Sequence, residues 1–446
     1  MYPNLYYFFK DIFGVEWTGL KFVNSFGFFV AISFMLAAYF LTKELRRKES
    51  EGLVGFEEAK IMVGSGPNWG SVILNAIFGF VFGFKLIGIL LNKEVAMADP
   101  QSYILSGQGS LWAGILLAII LGAWKWWEGQ KEKLAKPEQR TIRIWAHDRI
   151  GDMTIFAFAF GFGGAKIFHN LENWDDFVKH PMESLISFSG LTFYGGLICA
   201  GIAIMWYARR HKIGLWYLVD SFGPALMIAY AVGRIGCQVS GDGDWGILNS
   251  AYVSNNDGKV MLADSTTYKK TITNNMGFYQ ASFHGVKDIK QVSDVPHATF
   301  AGPSFLPSWM IAYAYPHNVN GEGVKLANCN ADPQDKDRFC SYLPVPVFPT
   351  PLYEFVIGTI LFLILWSIRK KIKIPGVFFG IYLIMNGVER FLAETIRVNT
   401  EYNFGSFHPT QAELISSLLV ISGLVIIVYQ RKNGKIEHVK PLGLNG

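Results

Sequence analysis

Long apolar runs separated by short polar loops dominate the chain. A helix needs about 20 apolar residues to cross a hydrocarbon core about 30 Å thick. Nine runs approach that length: residues 22–42, 71–91, 109–127, 152–169, 188–208, 217–238, 351–368, 375–395 and 410–429. The fourth and eighth fit least well, because each contains basic or acidic residues. The pattern predicts an all-α polytopic membrane protein with about nine transmembrane helices. One stretch breaks it: residues 247–350 are rich in Asn, Asp, Ser, Thr, Pro and Tyr. Alternations there, such as Thr299-Phe-Ala-Gly-Pro and Pro344-Val-Pro-Val-Phe, predict short strands and turns in a small irregular domain. The expected plan is six spans over residues 1–238, with 71–127 as an added hairpin, then a polar segment over 239–350. Three further spans follow over 351–430, and a tail over 431–446.

Composition strengthens this reading. The chain is 51% hydrophobic and 17% charged, against roughly 25% charged in soluble domains. Its 15% aromatic content and 46 glycines suit interfacial belts and close helix packing. A net charge of +5 is too small to imply nucleic acid as a partner. The first run follows Lys10, Asp11 and Glu16 and lacks a small-residue cleavage site, so it reads as an anchor rather than a removable signal.

Basic residues then set the orientation. They collect after spans one (Lys43, Arg46, Arg47, Lys48), three (Lys131, Lys133, Lys136, Arg140, Arg143), five (Arg209, Arg210, Lys212) and seven (Arg369, Lys370, Lys371, Lys373). The tail adds Arg431, Lys432, Lys435 and Lys440, whereas the other face has Lys93 and Lys179 as its main basic residues. Every cluster follows an odd-numbered span. One alternating topology therefore puts them all in the cytoplasm, with the N-terminus and the polar segment outside and the C-terminus inside. Cys329 and Cys340 lie in that polar segment and can pair if it meets an oxidising compartment. The cysteine and histidine spacing fits no zinc pattern.

Charges inside spans are costly and point by default to function. Here they gather toward the outer ends: Lys166 in Gly163-Gly-Ala-Lys, Tyr194, Arg234, Glu354 and Arg397, with His408 and Gln411 opening the last span. Arg390, Glu394 and Arg397 recur at helical spacing, so they are expected on one face with a net positive charge left over. A phosphate is the economical partner for surplus arginine. A lone arginine at a helix end more often snorkels to headgroups. Arg234 is set apart by Gly233 and Gly236, which admit close helix approach, and by Ser240-Gly-Asp-Gly, which breaks the helix. Glu354 alone could simply favour the N-terminal turn of span seven.

Taken together these motifs resemble the prolipoprotein diacylglyceryl transferase family. The resemblance rests on Phe193-Tyr-Gly-Gly-Leu-Ile, Val232-Gly-Arg-Ile-Gly-Cys with Gly241-Asp-Gly-Asp-Trp-Gly, and Pro349-Thr-Pro-Leu-Tyr-Glu. It also takes in Glu389-Arg-Phe-Leu-Ala-Glu-Thr-Ile-Arg and Thr410-Gln, all in the family's order. It implies a bacterial inner-membrane enzyme that moves the diacylglyceryl group of phosphatidylglycerol to the lipobox cysteine in a prolipoprotein signal peptide, releasing glycerol 1-phosphate. No cofactor or metal is expected, and membrane lipids are its surroundings. The resemblance assigns Arg234, Arg397, Tyr194 and Glu354 to catalysis. Gly233, Gly236, Asp242, Gly246, Arg390, Glu394, Gln411 and Lys166 would contact substrate.

Two features depart from the family. Where it often has His, this chain has Tyr194, a weaker base at neutral pH. Either Tyr194 positions substrate by hydrogen bonding, the favoured reading, or it acts as a phenolate favoured by nearby arginines, or the thiol proton goes to Glu354, Asp242, Glu394 or His408. Spans two and three are an added hairpin, and the outer segment is longer than usual. A transporter or channel for an anionic substrate is the alternative, but it calls for polar residues through the inner half of several spans, and few are present. An intramembrane aspartyl protease would need a second intramembrane aspartate to pair with Gly-Asp-Gly-Asp.

Overall fold

Lipid offers no partners to backbone N–H and C=O groups, so the apolar runs must satisfy them internally as helices. The computed structural model describes residues 1–92, 103, 106–186, 192–329, 338–402, 405 and 408–436. A short helix α1 (Leu5–Phe13) precedes α2 (Ser25–Ser50). Strand β1 (Phe56–Val63) leads to the hairpin of α3 (Trp69–Leu91) and α4 (Leu111–Lys131), and strand β2 (Glu138–Trp145) follows. Then come α5 (Ile150–Glu172), α6 (Phe193–Arg210) and α7 (Leu215–Ser240). After the polar segment the chain ends with α8 (Thr350–Ile368), α9 (Val377–Glu394) and α10 (Gln411–Asn433).

Among the described residues seven helices are long and apolar enough to cross a membrane: α2, α3, α4, α5 with its preceding turn, α7, α8 and α10. The protein is thus a multi-pass membrane protein. The fourth expected span is among the seven despite its charges. The fifth and eighth positions are also helical, as α6 and α9, but each helix has only 18 residues and both carry charged side chains. Residues 188–191, the expected start of the fifth span, and most of the tail lie outside the described residues.

Helix α7 is the hub. Half of its apolar window is buried within the protein, against 11–28% for the other six, so its neighbours surround it. It packs on α2, α8 and α9, while α5 pairs with α6, α9 with α10, and α3 with α4. Two buried polar contacts fix its N-terminal end. Lys48 of α2 donates to the Tyr217 carbonyl at 2.7 Å. Asp220 accepts the backbone N–H groups of Gly376 and Phe379 at 2.9 and 2.7 Å, capping the start of α9. The carboxylate thereby satisfies orphan donors at a helix N-terminus and sets where α9 begins.

The loops that follow odd-numbered spans meet one another. Strands β1 and β2 pair antiparallel, from Phe56 opposite Trp145 to Val63 opposite Glu138. Glu57 of β1 binds Arg149 at 2.6 Å and His211 at 3.2 Å. Glu44 pairs with Arg47 and, at 3.2 Å, with Arg369. At the other end the N-terminal amine donates to the Pro316 carbonyl at 2.9 Å, and Tyr315 donates to Gln238 at 2.7 Å.

The polar segment contains short strands, among them Tyr252–Ser254 paired with Val260–Leu262, but not at the expected alternations: 299–303 is irregular, and in 344–348 only Val347 makes isolated bridges. It also folds two helices, Ser265–Asn274 and Met276–Ser282, around a core that includes Ile272, Tyr279, Tyr315 and Val345. A disulfide joins Cys329 and Cys340.

Candidate active site

Helix α7 ends where its sequence turns to glycine. Gly241 takes φ +65° as the C-cap and Gly243 takes φ +92°, a region that L side chains rarely adopt. This turn sends Asp244 back toward the helix end. Gly246 then passes so close to its neighbours that an added Cβ would lie 2.8 Å from both the Ile396 carbonyl oxygen and Thr350 Cγ2. Ile247 donates to that same Ile396 carbonyl at 2.9 Å. The glycines thus lace the loop after α7 to the turn after α9, and so bring Asp244 to Arg397.

Three arginines and three carboxylates meet there. The two oxygens of Asp244 bind Arg234 Nη1 and Arg397 Nη2. Glu354, one turn into α8 and 1% exposed, lies 2.9 Å from Arg234 Nε, 3.2 Å from Arg390 Nη1 and 3.8 Å from Arg397 Nη1. Glu394 accepts from Arg390 at 2.7 Å and from Asn399 at 2.6 Å. Burial on its own raises the Asp244 carboxyl, but Arg234 and Arg397 outweigh it and bring it down to about 2. Burial, with Asp244 beside it, pushes the Asp242 carboxyl above its ordinary value.

Several sequence expectations change. Glu354 is no helix cap but the buried ion-pair partner of three arginines, accepting a hydrogen bond from Arg390. Arg397 does not share a helical face with Arg390 and Glu394, because α9 stops at Glu394 and Arg397 lies in the following turn. No net positive charge is left over, since Glu354 and Asp244 arrive from other elements to match it. Gly236 does admit close approach, with Phe26 and Phe29 of α2 packed against it, but Gly233 faces open space.

Lys166 is buried on α5 and Tyr194 half-buried on α6; these helices pack on each other, and α6 also touches α7. Gln411 is exposed at the first position of α10, whose capping box is made by Thr410 and Glu413. The Asp242 carbonyl accepts from Asn320 at 2.8 Å, which ties the glycine turn to the polar segment. Sequence reasoning left out Asp244, although it stands in the quoted Gly-Asp-Gly-Asp. It also left out Tyr230, whose hydroxyl donates to Glu389 at 3.1 Å. No group of three or more His, Cys, Asp or Glu residues among the described residues is arranged to hold a metal ion.

The decisive comparison is with families of known proteins. The family model described as prolipoprotein diacylglyceryl transferase matches residues 109–429, well over half of the chain. The chain belongs to this family. Among similar curated proteins is the phosphatidylglycerol–prolipoprotein diacylglyceryl transferase of Enterococcus faecalis, 24% identical over 349 residues, covering 77% of this chain and 94% of that protein. The protein of the same name from Lactobacillus delbrueckii subsp. bulgaricus is 25% identical over 338 residues, covering 75% of this chain and 91% of that protein. The family match begins at 109, so the whole of α3, the first helix of the added hairpin, lies outside it.

Proposed function

We propose that the chain transfers the diacylglyceryl group of phosphatidylglycerol to the lipobox cysteine of prolipoproteins, releasing glycerol 1-phosphate, at the outer face of the bacterial inner membrane. The observation that carries this reading is the convergence of Arg234 and Arg397, from distant parts of the chain, on the two oxygens of one carboxylate. A phosphate presents the same pair of oxygens to the same two guanidinium groups. In this account the lipid phosphate takes the place of Asp244, which is ionised at neutral pH and partly exposed at 31%. Glu354 stays behind, holding the arginines in register from beneath.

The reaction forms a carbon–sulfur bond and breaks a carbon–oxygen bond. The thiolate supplies the attacking pair, and the phosphate oxygen leaves with the pair from the broken bond. Arg234 and Arg397 stabilise the charge that develops on that oxygen, in a place where water is scarce and such contacts count most. Arg390, held by Glu354 and Glu394, supports the array from behind. Tyr194 and Lys166, on the neighbouring helix pair, are assigned to positioning the lipid.

Nine crossings fit this function. Contacts of Glu57 with Arg149 and His211, and of Glu44 with Arg369, gather the basic loops on one side. That arrangement fits α6 and α9 as further crossings. At 1.5 Å per residue each is about 27 Å long, close to the hydrocarbon thickness. The basic side is then cytoplasmic, with the C-terminus. The N-terminus and the polar segment are outside, where Cys329 and Cys340 can be oxidised.

The test uses purified protein in phosphatidylglycerol liposomes with a synthetic peptide bearing a lipobox cysteine. Mass spectrometry of the peptide is expected to show the added diacylglyceryl group. A peptide left unmodified by inserted, folded protein would reject the assignment.

A further inference from the structure

Every carboxylate in direct contact with the arginine cluster is held by it: Asp244 by two arginines, Glu354 by three, and Glu394 by Arg390 and Asn399. A carboxylate so paired is poorly placed to accept a proton. Glu389 differs. It lies on α9 beside Arg390 in sequence, is 4% exposed, and has no salt bridge among the described residues. One of its oxygens accepts the Tyr230 hydroxyl at 3.1 Å, while the other is buried without a hydrogen-bond partner. Leaving a buried carboxylate half-satisfied costs stability.

Tyr230 connects this acid to the site. It sits one turn before Arg234 on α7, and the Arg234 guanidinium lies 5.5 Å from the centre of its ring. Unlike Glu389 it is only partly buried. The charged groups that act on Glu389 are Glu354, Arg234 and Arg390, with Tyr230 as its hydrogen-bond partner.

We infer that Tyr230 and Glu389 form the relay that removes the proton from the substrate thiol, an inference that rests on the transferase reading above. The thiol proton passes to the Tyr230 oxygen as the Tyr230 proton passes along the existing hydrogen bond to Glu389. The sulfur keeps the electron pair of its broken S–H bond and uses it to form the carbon–sulfur bond. The carbon–oxygen pair leaves with the phosphate onto Arg234 and Arg397. After product departs, the proton returns from Glu389 through Tyr230 to water. Tyr230 touches the substrate, and Glu389 acts through it.

The experiment compares the intact protein, Glu389→Gln and Tyr230→Phe in phosphatidylglycerol liposomes with two peptides. One has the lipobox cysteine, and the other has selenocysteine in its place, whose selenol is already ionised at neutral pH. With cysteine, each variant is expected to be at least about a hundredfold slower at neutral pH. Its rate should climb about tenfold per pH unit as solution supplies thiolate. With selenocysteine the variants should come within about threefold of the intact protein, because no proton then needs removing. Variants that match the intact protein on the cysteine peptide, or that are equally slow with both peptides, would overturn the relay. Should Glu389→Gln fail to insert, Tyr230→Phe decides, since it leaves the buried acid in place. Failure of the intact protein with both peptides would instead overturn the transferase reading, and the relay with it.

Discussion

The protein buries a glutamate among arginines at both ends of its helix bundle, and the two clusters differ in what surrounds them. At the end where the basic loops meet, Glu44 is 1% exposed and binds Arg47 and Arg369, and Arg369 lies over the Trp366 ring, 3.6 Å from its centre. Lys48 adds its bond to the Tyr217 carbonyl. All of these groups sit on or just beyond regular helices. At the opposite end Glu354 is equally buried but takes three arginines, and two of these also reach a carboxylate on a glycine turn that is partly open. The Glu44 cluster joins α2 to α7 and α8 and has no such movable member. A buried arginine–glutamate pair is therefore not in itself a sign of chemistry. On the proposed reading, what sets the outer cluster apart is an acid that another anion replaces without dismantling the rest.

Substitutions can break or sharpen this contrast. The largest effect is expected from Arg234→Ala, which should lower transfer by more than about a thousandfold while the protein still inserts, because one of two charge-stabilising groups is lost. Peptide mass spectrometry on liposomes of matched protein content reads it directly. Glu44→Gln should do the reverse. Leaving Arg47 and Arg369 without their buried partner is expected to cost about 3–5 kcal/mol of stability, seen as a lower unfolding temperature, with little change in rate for the protein that remains folded.

Arg397→Lys keeps the charge but loses the planar fork, so a fall in rate of about tenfold to a hundredfold is expected. A rate near that of the intact protein would mean that the side chain only reaches toward headgroups. Asp244→Asn removes the competing anion, and the KM for phosphatidylglycerol should fall severalfold, roughly the factor by which the occupied state of the arginines is depleted. A rise in KM would show that Asp244 builds the site rather than yielding to the lipid. Tyr194→Phe is expected to have the smallest effect, about fivefold at most, the worth of one positioning hydrogen bond. An unchanged rate would take Tyr194 out of the chemistry.

Much of this was legible in the chain. Seven of the nine expected spans could be read because lipid enforces helices, and apolar length marks them. Loop charge gave a topology that contacts such as Glu57 with His211 support, since loops on one face can touch. Arg234 and Arg397 stood out because arginine is rare at that depth. The rest depended on distant parts of the chain meeting. By its position alone Glu354 could be a cap, because its arginine partners are on other elements, and only the resemblance marked it as catalytic. Arg397 seemed to continue α9 because helical spacing persists in sequence past the residue at which the backbone turns. Asp244 was overlooked because its importance comes from two glycines with positive φ, which fold it back onto the helix it has just left. Glu389 was hidden inside a motif read for its arginines.

The most direct test runs the transfer assay side by side on the intact protein, Arg234→Ala and Glu44→Gln, normalised to folded, inserted protein. The account predicts no modified peptide from Arg234→Ala and a rate close to the intact value from Glu44→Gln. Equal losses from the two, or transfer that survives without Arg234, would contradict the assignment of the outer cluster as the place where the phosphate is held.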